Sequence, residues 1–243
     1  PLLLYLFLLF LLAGVCVTLS LTVFFKIERF EVKGGARYSD AEIIGALPVR
    51  KGDNLFLADA EKAEKAVLAA LPYIGKATVS RKLPSTLVVE AKEAVPAYVF
   101  AQDGAEYLTD KAFRVLEIGQ ALGAGCIKVK GAGAEAAAAG RTLAFADKAL
   151  RARLVLLTGE CEKQSLKNIS EIDLTDKTTL KLLYDRRIVM VIGTTAQLGR
   201  KISCGKRIVT RELPDGVTGT LDLSRVTAEQ VNAPFREHKP AGS

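Results

Sequence analysis

The stretch KATVSRKLPSTLVVEAK, residues 76–92, predicts a β-hairpin and decides the fold of the N-terminal part of the chain. Apolar and polar side chains alternate on both sides of the turn Leu83-Pro84-Ser85. Such alternation places one face of each strand against a core. We therefore expect two antiparallel strands, over 76–81 and 86–92, with Ala77, Val79, Leu87, Val89 and Ala91 facing inward.

Two short helices are predicted ahead of this hairpin. Ser39-Asp-Ala-Glu42 fits a capping box, in which the hydroxyl and the carboxylate satisfy free amides at a helix start. Asp59 fits the cap of a second helix, which Pro72 ends. With a strand over 27–33, the order strand, helix, helix, strand, strand predicts a small α+β module.

Residues 2–25 carry no charged side chain and are mostly Leu, Phe and Val. A helix of this length covers about 36 Å, enough to cross a hydrocarbon core of about 30 Å. No A-x-A-like cleavage site follows, so the sequence predicts an uncleaved transmembrane helix over 1–25. A single span excludes a transporter or channel that acts alone. Lys26 and Arg29 would by themselves favour a cytoplasmic C-terminal part, so the residues leave the orientation open.

The second half of the chain predicts further strands around one long helix. The polar tail from Arg225 onward is expected to fray. In chain order we expect strands over 97–118, a loop or flexible connection over the Ala/Gly-rich stretch 119–140, a helix over 142–158, strands over 169–174, 179–184 and 187–192, a short helix capped from Thr194–Gln197, and a last strand over 217–224.

The chain is basic, with a formal net charge of +7. Its last third contains a run of basic residues uninterrupted by acidic ones. Such a cluster fits nucleic acid, anionic lipid or an anionic wall polymer, or else a solvated face. The cluster consists of Arg186, Arg187, Arg200, Lys201, Lys206, Arg207 and Arg211.

Catalytic and metal-binding patterns are weak. His238, the one histidine, lies in the polar tail, which argues against a triad, and the absence of C-x-x-C argues against zinc. Ser203-Cys-Gly-Lys206 fits the S-x-x-K motif of penicillin-binding enzymes, but neither S-D-N nor K-T-G accompanies it. Cys126, Cys161 and Cys204 leave a disulfide open, with one thiol unpaired. No cofactor is expected.

The order of several segments resembles the FtsQ/DivIB family of bacterial division proteins. The resemblance implies an α+β fold: a transmembrane helix over 1–25, a POTRA-like β-α-α-β-β domain over 26–95, a mixed α/β β-domain dominated by antiparallel strands over 96–224, and a polar tail over 225–243. The segments are IERFEVKGGARYSDAEIIGAL (27–47), LPYIGKATVSRKLPSTLVVEAKEAVPAYVF (71–100), GAEYLTDKAFRVLE (104–117), LKLLYDRRIVMVIG (180–193) and GTLDLS (219–224).

The same resemblance implies a function without catalysis. Family members are single-pass proteins of the bacterial plasma membrane, with a cytoplasmic N-terminus and extracytoplasmic domains at the division septum. They act as scaffolds that bind FtsL and a DivIC/FtsB-type coiled-coil partner and help to regulate septal peptidoglycan synthesis. The resemblance implies lipid contact through residues 2–25 and no nucleic acid.

The family's partner adds a strand to the sheet edge at the end of the β-domain. An unpaired edge offers N–H and C=O groups that an extended peptide completes. Arg225 and Val226 stand where some members carry aromatic anchors. An edge covered by the chain's own tail is the alternative. Other functions left open are an anchored binder of anionic wall polymer or lipid through the basic cluster, and a hydrolase that uses Ser203. The expected partner-binding residues are Gly219, Thr220, Leu221, Asp222, Leu223, Ser224, Arg225 and Val226.

Overall fold

The computed structural model describes residues 2–23, 25–102, 104–228 and 230–238, with the backbone alone for Leu2 and residues 16–23. The chain divides into two compact units, unit 1 over 1–95 and unit 2 over 96–243. Pro1 and Phe24 of the predicted anchor, Asp103 of a predicted turn, and Glu229 and residues 239–243 of the predicted tail lie outside the description.

The described residues of unit 1 form three helices and a three-stranded sheet. The sheet order is β1-β3-β2, with β1 parallel and β2 antiparallel to the central β3. This is the order of elements that the alternation and the caps predict after the first helix. The elements are α1 (Leu2–Val23), β1 (Arg29–Gly34), α2 (Asp40–Gly45), α3 (Ala60–Ala70), β2 (Ile74–Lys82) and β3 (Thr86–Glu93).

Local capping signals set both short helices as predicted. The Ser39 hydroxyl accepts a hydrogen bond from the Glu42 amide at 3.3 Å, and the Glu42 carboxylate accepts from the Ser39 amide at 2.8 Å. The Asp59 carboxylate accepts from the Lys62 amide at 3.1 Å. The helices cover one face of the sheet, and the predicted inward positions are buried: Ala77, Val79, Leu87, Val89 and Ala91, together with Ile43, Ala63 and Val67.

The first helix, α1, has 22 residues and no charged side chain. Within the residues that the structure describes in full, no helix is both long and apolar enough to cross a membrane. In α1 the residues described with their side chains are 3–15.

Unit 2 is a mixed α/β structure, and its described residues form a nine-stranded sheet in the order β12-β11-β10-β9-β8-β7-β4-β5-β6. The pairs β4/β7, β7/β8 and β10/β11 are parallel and the other pairs are antiparallel. The elements are β4 (Tyr98–Gln102), β5 (Ala105–Thr109), β6 (Val115–Gly119), β7 (Ile127–Lys130), α4 (Lys148–Lys163), β8 (Ile169–Asp173), β9 (Leu180–Tyr184), β10 (Ile188–Gly193), α5 (Leu198–Arg207) with a π-helical turn (Ile208–Glu212), β11 (Gly219–Asp222) and β12 (Phe235–Glu237).

A continuous apolar row crosses the middle of this sheet and faces α4 and α5. Its members are cross-strand neighbours on five successive strands, and each is at most 3% exposed. Burying such a row drives the sheet and the helices together. The row is Val129, Ile172, Leu182, Met190 and Leu221.

The Ala/Gly-rich stretch is mostly irregular, as the loop prediction has it, but it is packed in part. It contains β7, and Ala132 and Ala134 are buried in the core of unit 2. Gly131 lies so close to the backbone of Thr175 that a Cβ would overlap it. Small residues therefore permit close backbone approach in this stretch.

Two helix starts also differ from prediction. The long helix begins at Lys148 instead of Thr142, and Phe145 enters the core from an extended segment bridged to Ala134. Gln197 precedes α5 in the left-handed conformation and makes no side-chain cap. The predicted cap at Thr194–Gln197 is therefore wrong.

Candidate functional site

The last strands of unit 2 are positioned by a parallel crossover. β10 leads into α5, which returns over the sheet so that β11 pairs parallel to β10. Gly205 of α5 makes this packing close, because a Cβ there would lie 2.7 Å from Leu223 Cδ1 and would overlap Met190. β11 is thus fixed on its inner side by backbone pairing and on one face by a helix.

The outer side of β11 pairs with β12, which lies in the stretch predicted to fray. Register pairs join Gly219 to Glu237, Thr220 to Arg236 and Leu221 to Phe235. The expectation of an unpaired edge at Gly219–Val226 is therefore wrong over Gly219–Leu221, and the alternative of a tail-covered edge holds there. A strand of three residues after a proline is too short to show a periodic sequence pattern, so the sequence predicts only a frayed tail there.

Phe235 anchors β12 on the sheet. A Cβ on Gly219 would lie 2.5 Å from both the Phe235 ring and the Arg236 carbonyl oxygen. The absence of a side chain at Gly219 therefore lets the aromatic ring lie against the strand. Phe235 is half-buried against the core of unit 2. It is an aromatic residue at the sheet margin that the sequence analysis did not identify.

The outer edge of β12 carries backbone groups that point away from β11. In an antiparallel ladder, alternate residues direct both N–H and C=O to the same neighbour. Residues 234, 236 and 238 face β11, so the N–H and C=O of Phe235 and Glu237 face the other side. Two hydrogen bonds between the strands establish which residues face β11: the Asp222 N–H donates to the Pro234 carbonyl oxygen at 3.0 Å, and the His238 N–H donates to the Thr218 carbonyl oxygen at 2.9 Å.

Side chains hold β12 in this register. The Thr218 hydroxyl donates to the His238 carbonyl oxygen at 2.9 Å, and the Thr220 hydroxyl lies 3.1 Å from His238 Nε2. The end of the described sheet is therefore β12, completed by backbone and side-chain bonds. Within the described residues, β12 has no strand beyond it.

The remaining expected partner-binding residues do not form an edge. Leu223 and Val226 are at most 1% exposed and belong to the core. Ser224 and Arg225 are exposed in the turn that follows β11. The segment Gly219–Val226 thus forms a paired strand and the turn that follows it. Its role in partner binding stays a prediction.

The basic cluster is dispersed over unit 2. β10 and α5 each extend about 15–20 Å, and the basic residues lie toward both of their ends. Arg187 donates to the carbonyl oxygens of Pro214 and Val217, and Lys206 donates to that of Gln164 at 2.8 Å. These side chains hold loops together. The exposed members are Arg186, Arg200, Arg207 and Arg211.

Lys201 is the clearest departure from the expected basic surface. Its side chain is buried, and its Nζ donates to the carbonyl oxygens of Ile192 at 2.9 Å and Thr194 at 3.0 Å. Desolvation by burial lowers the pKa of Lys201, and Asp222 opposes that shift. The expectation that Lys201 belongs to an anionic-binding surface is wrong, because its charge is enclosed at the junction of β10 and α5.

The S-x-x-K pair lies on α5, with Ser203 exposed. The Lys206 amine donates to the Gln164 carbonyl oxygen at 2.8 Å, so it is held by the end of α4. A general base for Ser203 has to lie within hydrogen-bond reach of its hydroxyl, and the described contact of Lys206 is with Gln164 instead. The geometry gives no support to a hydrolase.

Comparison with known proteins matches residues 25–93 to the POTRA domain, FtsQ-type. The matched segment covers the three strands and two short helices that follow α1. The POTRA assignment and the mixed α/β composition agree with the expected fold class.

Relatives extend the similarity beyond this domain. The chain is 31% identical over 107 residues to the cell division protein FtsQ of Corynebacterium glutamicum, covering 44% of this chain and 47% of that protein. It is 31% identical over 163 residues to FtsQ of Syntrophotalea carbinolica, covering 65% and 56%. It is 25% identical over 212 residues to the cell division protein DivIB of Clostridium acetobutylicum, covering 86% and 84%.

The chain thus spans about half the length of the two FtsQ relatives and most of the DivIB relative. The order of POTRA domain and strand-rich unit agrees with the resemblance drawn from the sequence. Residues 25–93 match the FtsQ-type POTRA domain, and the chain is similar to the FtsQ and DivIB cell division proteins.

Proposed function

We propose that this chain is a non-enzymatic scaffold of the divisome that binds an extended segment of a partner at the outer edge of β12. The partner is FtsL or a DivIC/FtsB-type coiled-coil protein, and the complex helps to regulate septal peptidoglycan synthesis. The proposal transfers the family's edge-addition mode to this chain and moves the site from Gly219–Val226 to the next strand.

One observation carries this proposal: β12 ends the described sheet with the N–H and C=O groups of Phe235 and Glu237 directed outward. An extended peptide completes such a row by β-augmentation, in which backbone bonds give affinity and side-chain pockets give specificity. The half-buried Phe235 supplies an aromatic surface next to the new strand.

We also propose that α1 anchors the chain in the plasma membrane, with the rest of unit 1 and all of unit 2 on the extracytoplasmic side. The helix has 22 residues without a charge, and the apolar side chains from Leu3 to Leu12 are exposed. Such a surface is stable in lipid and costly in water. The orientation follows the family resemblance.

A proline scan of β12 tests the edge. Glu237→Pro removes an outward amide and leaves the inward bonds of Arg236 and His238 in place, so partner binding is expected to be lost while the thermal midpoint changes little. Glu237→Ala is the matched control and is expected to bind normally. Binding is measured with the extracytoplasmic segment of the DivIC/FtsB-type partner on the full chain in detergent.

Removal of residues 231–243 separates two modes of binding. If the partner pairs with β12, the truncated chain loses binding. If the partner displaces β12 and pairs with β11, the truncated chain binds at least as well as the full chain, and the β12 proposal is wrong. Circular dichroism of both chains reports whether unit 2 stays folded.

A further inference from the structure

Unit 1 exposes apolar side chains at the end where α1 joins it. Outside α1, the large apolar side chains that the described part of unit 1 exposes are Phe56, Leu57, Leu83 and Val95. Phe56 is 44% exposed, Leu57 82% and Leu83 60%. Three of these four residues lie in two loops that are hydrogen-bonded at the same end of the sheet.

The loop with Phe56 and Leu57 is bonded to the residue that follows α1. The Leu55 amide donates to the Phe25 carbonyl oxygen at 2.8 Å, and the Phe25 and Phe56 ring centroids are 5.0 Å apart in an edge-to-face arrangement. Two peptide units join Val23 to Phe25, which limits their Cα separation to about 7 Å. The loop therefore lies beside the end of α1.

Leu83 lies at the same end of the sheet. The Glu28 amide, just before β1, donates to the Ser85 carbonyl oxygen at 2.8 Å, so the β2–β3 turn is beside the entry of the chain. Arg81, near the end of β2, also links this end of the sheet to the loop that contains Phe56 and Leu57. Its guanidinium donates to the carbonyl oxygens of Leu55 at 2.8 Å and Ala58 at 2.6 Å.

Val95, the fourth side chain, lies at the opposite end. It follows β3, which starts at Thr86 beside the β2–β3 turn and runs for eight residues, or about 26 Å, away from it. The apolar exposure of unit 1 is thus concentrated toward α1, and Val95 is a natural control position.

The charges around this end are mixed, with a basic excess. Lys26, Arg50 and Lys51 are exposed there. Of the acidic neighbours, Asp53 accepts from the Arg50 amide at 2.7 Å and Glu28 accepts from the Ser85 hydroxyl at 3.1 Å. Apolar side chains bordered by lysine and arginine suit the interface of a membrane that contains anionic lipid.

We propose that Phe56, Leu57 and Leu83 insert into the interfacial layer of the bilayer that holds α1, so that unit 1 lies against the membrane. The occupant is lipid, because the backbone places these side chains within reach of the end of α1 and interfacial side chains enter a membrane by about 5–10 Å. This contact rests on the proposed anchor and adds a second, surface attachment to it.

The experiment uses brominated lipids as quenchers of tryptophan fluorescence. The chain contains no Trp, so one introduced indole reports its position without background. Leu57→Trp and Leu83→Trp test the contact, Leu9→Trp reports the anchor, and Val95→Trp is the exposed control. Each full-length variant is reconstituted in vesicles of phosphatidylglycerol and phosphatidylcholine, with or without bromine on the phosphatidylcholine acyl chains.

We expect bromine to quench the Leu9→Trp, Leu57→Trp and Leu83→Trp variants strongly and to leave Val95→Trp unchanged. If Leu9→Trp is quenched while Leu57→Trp and Leu83→Trp behave like Val95→Trp, the surface contact is overturned and the anchor stands. If Leu9→Trp is not quenched, the anchor proposal fails and the contact fails with it. All four positions are exposed, and equal thermal midpoints verify that the substitutions leave the fold intact.

Discussion

The Nζ atom of Lys201 donates a hydrogen bond of 2.9 Å to the Ile192 carbonyl oxygen inside unit 2. Lys201 is 2% exposed, whereas its neighbour Arg200 is exposed and donates to the Ala228 carbonyl oxygen at 3.0 Å. Two adjacent basic residues on α5 therefore serve different purposes. Lys201 bonds α5 to β10 in the interior, whereas Arg200 bonds α5 to the surface segment that contains Ala228.

Replacement by glutamate should lower the free energy of unfolding much more at Lys201 than at Arg200. Lys201→Glu places a carboxylate against two carbonyl oxygens in a buried site, and we expect the free energy of unfolding to fall by about 3–5 kcal/mol. Arg200→Glu, on the surface, should change it by no more than about 0.5 kcal/mol. Denaturant unfolding followed by circular dichroism measures both. Equal losses in the two variants would show that Lys201 is not enclosed.

Two glycines within helices should respond to alanine in opposite directions. A Cβ on Gly159 of α4 meets no atom within 4 Å, so Gly159→Ala should raise the free energy of unfolding by about 0.5–1 kcal/mol. Gly205→Ala forces a methyl group against Met190 and Leu223, and overpacking of that kind costs about 1–3 kcal/mol. Thermal and denaturant unfolding of both variants test the prediction. Stabilisation by Gly205→Ala would contradict the close packing of α5 on β10.

The described thiols should differ in reactivity. Burial raises the pKa of Cys161 to about 12, and Cys161 is 2% exposed, so it is a protected thiol at neutral pH. Burial raises the pKa of both Cys126 and Cys204 as well, but Cys126 is half-exposed whereas Cys204 is buried. Iodoacetamide at neutral pH should therefore label Cys126 first, and Cys161 only after unfolding. Peptide mass spectrometry gives the order, and labelling of Cys161 as fast as that of Cys126 in the folded chain would refute it.

Local signals predicted unit 1 well. The Ser39–Glu42 capping box and the Asp59 cap need only neighbours in sequence, and the alternation over 76–92 fixes a hairpin whose strands meet through a short turn. These features are set by short-range hydrogen bonds and by a simple hydrophobic period. The structure has them at the predicted residues.

Long-range packing explains the errors in unit 2. The Ala/Gly-rich stretch looked flexible because its composition lacks bulk, yet Ala132 and Ala134 are buried where another segment approaches closely. β12 is three residues long, and its stability comes from Gly219 and Thr218, distant in sequence. Neither feature leaves a periodic pattern, so the open edge expected at Gly219–Val226 could not be corrected from the sequence.

Residue-resolved amide hydrogen exchange tests the central claim about the sheet edge most directly. In the free chain, the amides of Arg236 and His238 face β11 and should exchange slowly, whereas those of Phe235 and Glu237 face outward and should exchange fast. On addition of the extracytoplasmic segment of the DivIC/FtsB-type partner, we expect Phe235 and Glu237 to become protected while Arg236 and His238 stay protected. A saturated complex in which the Phe235 and Glu237 amides still exchange at their free rates would contradict strand addition at β12.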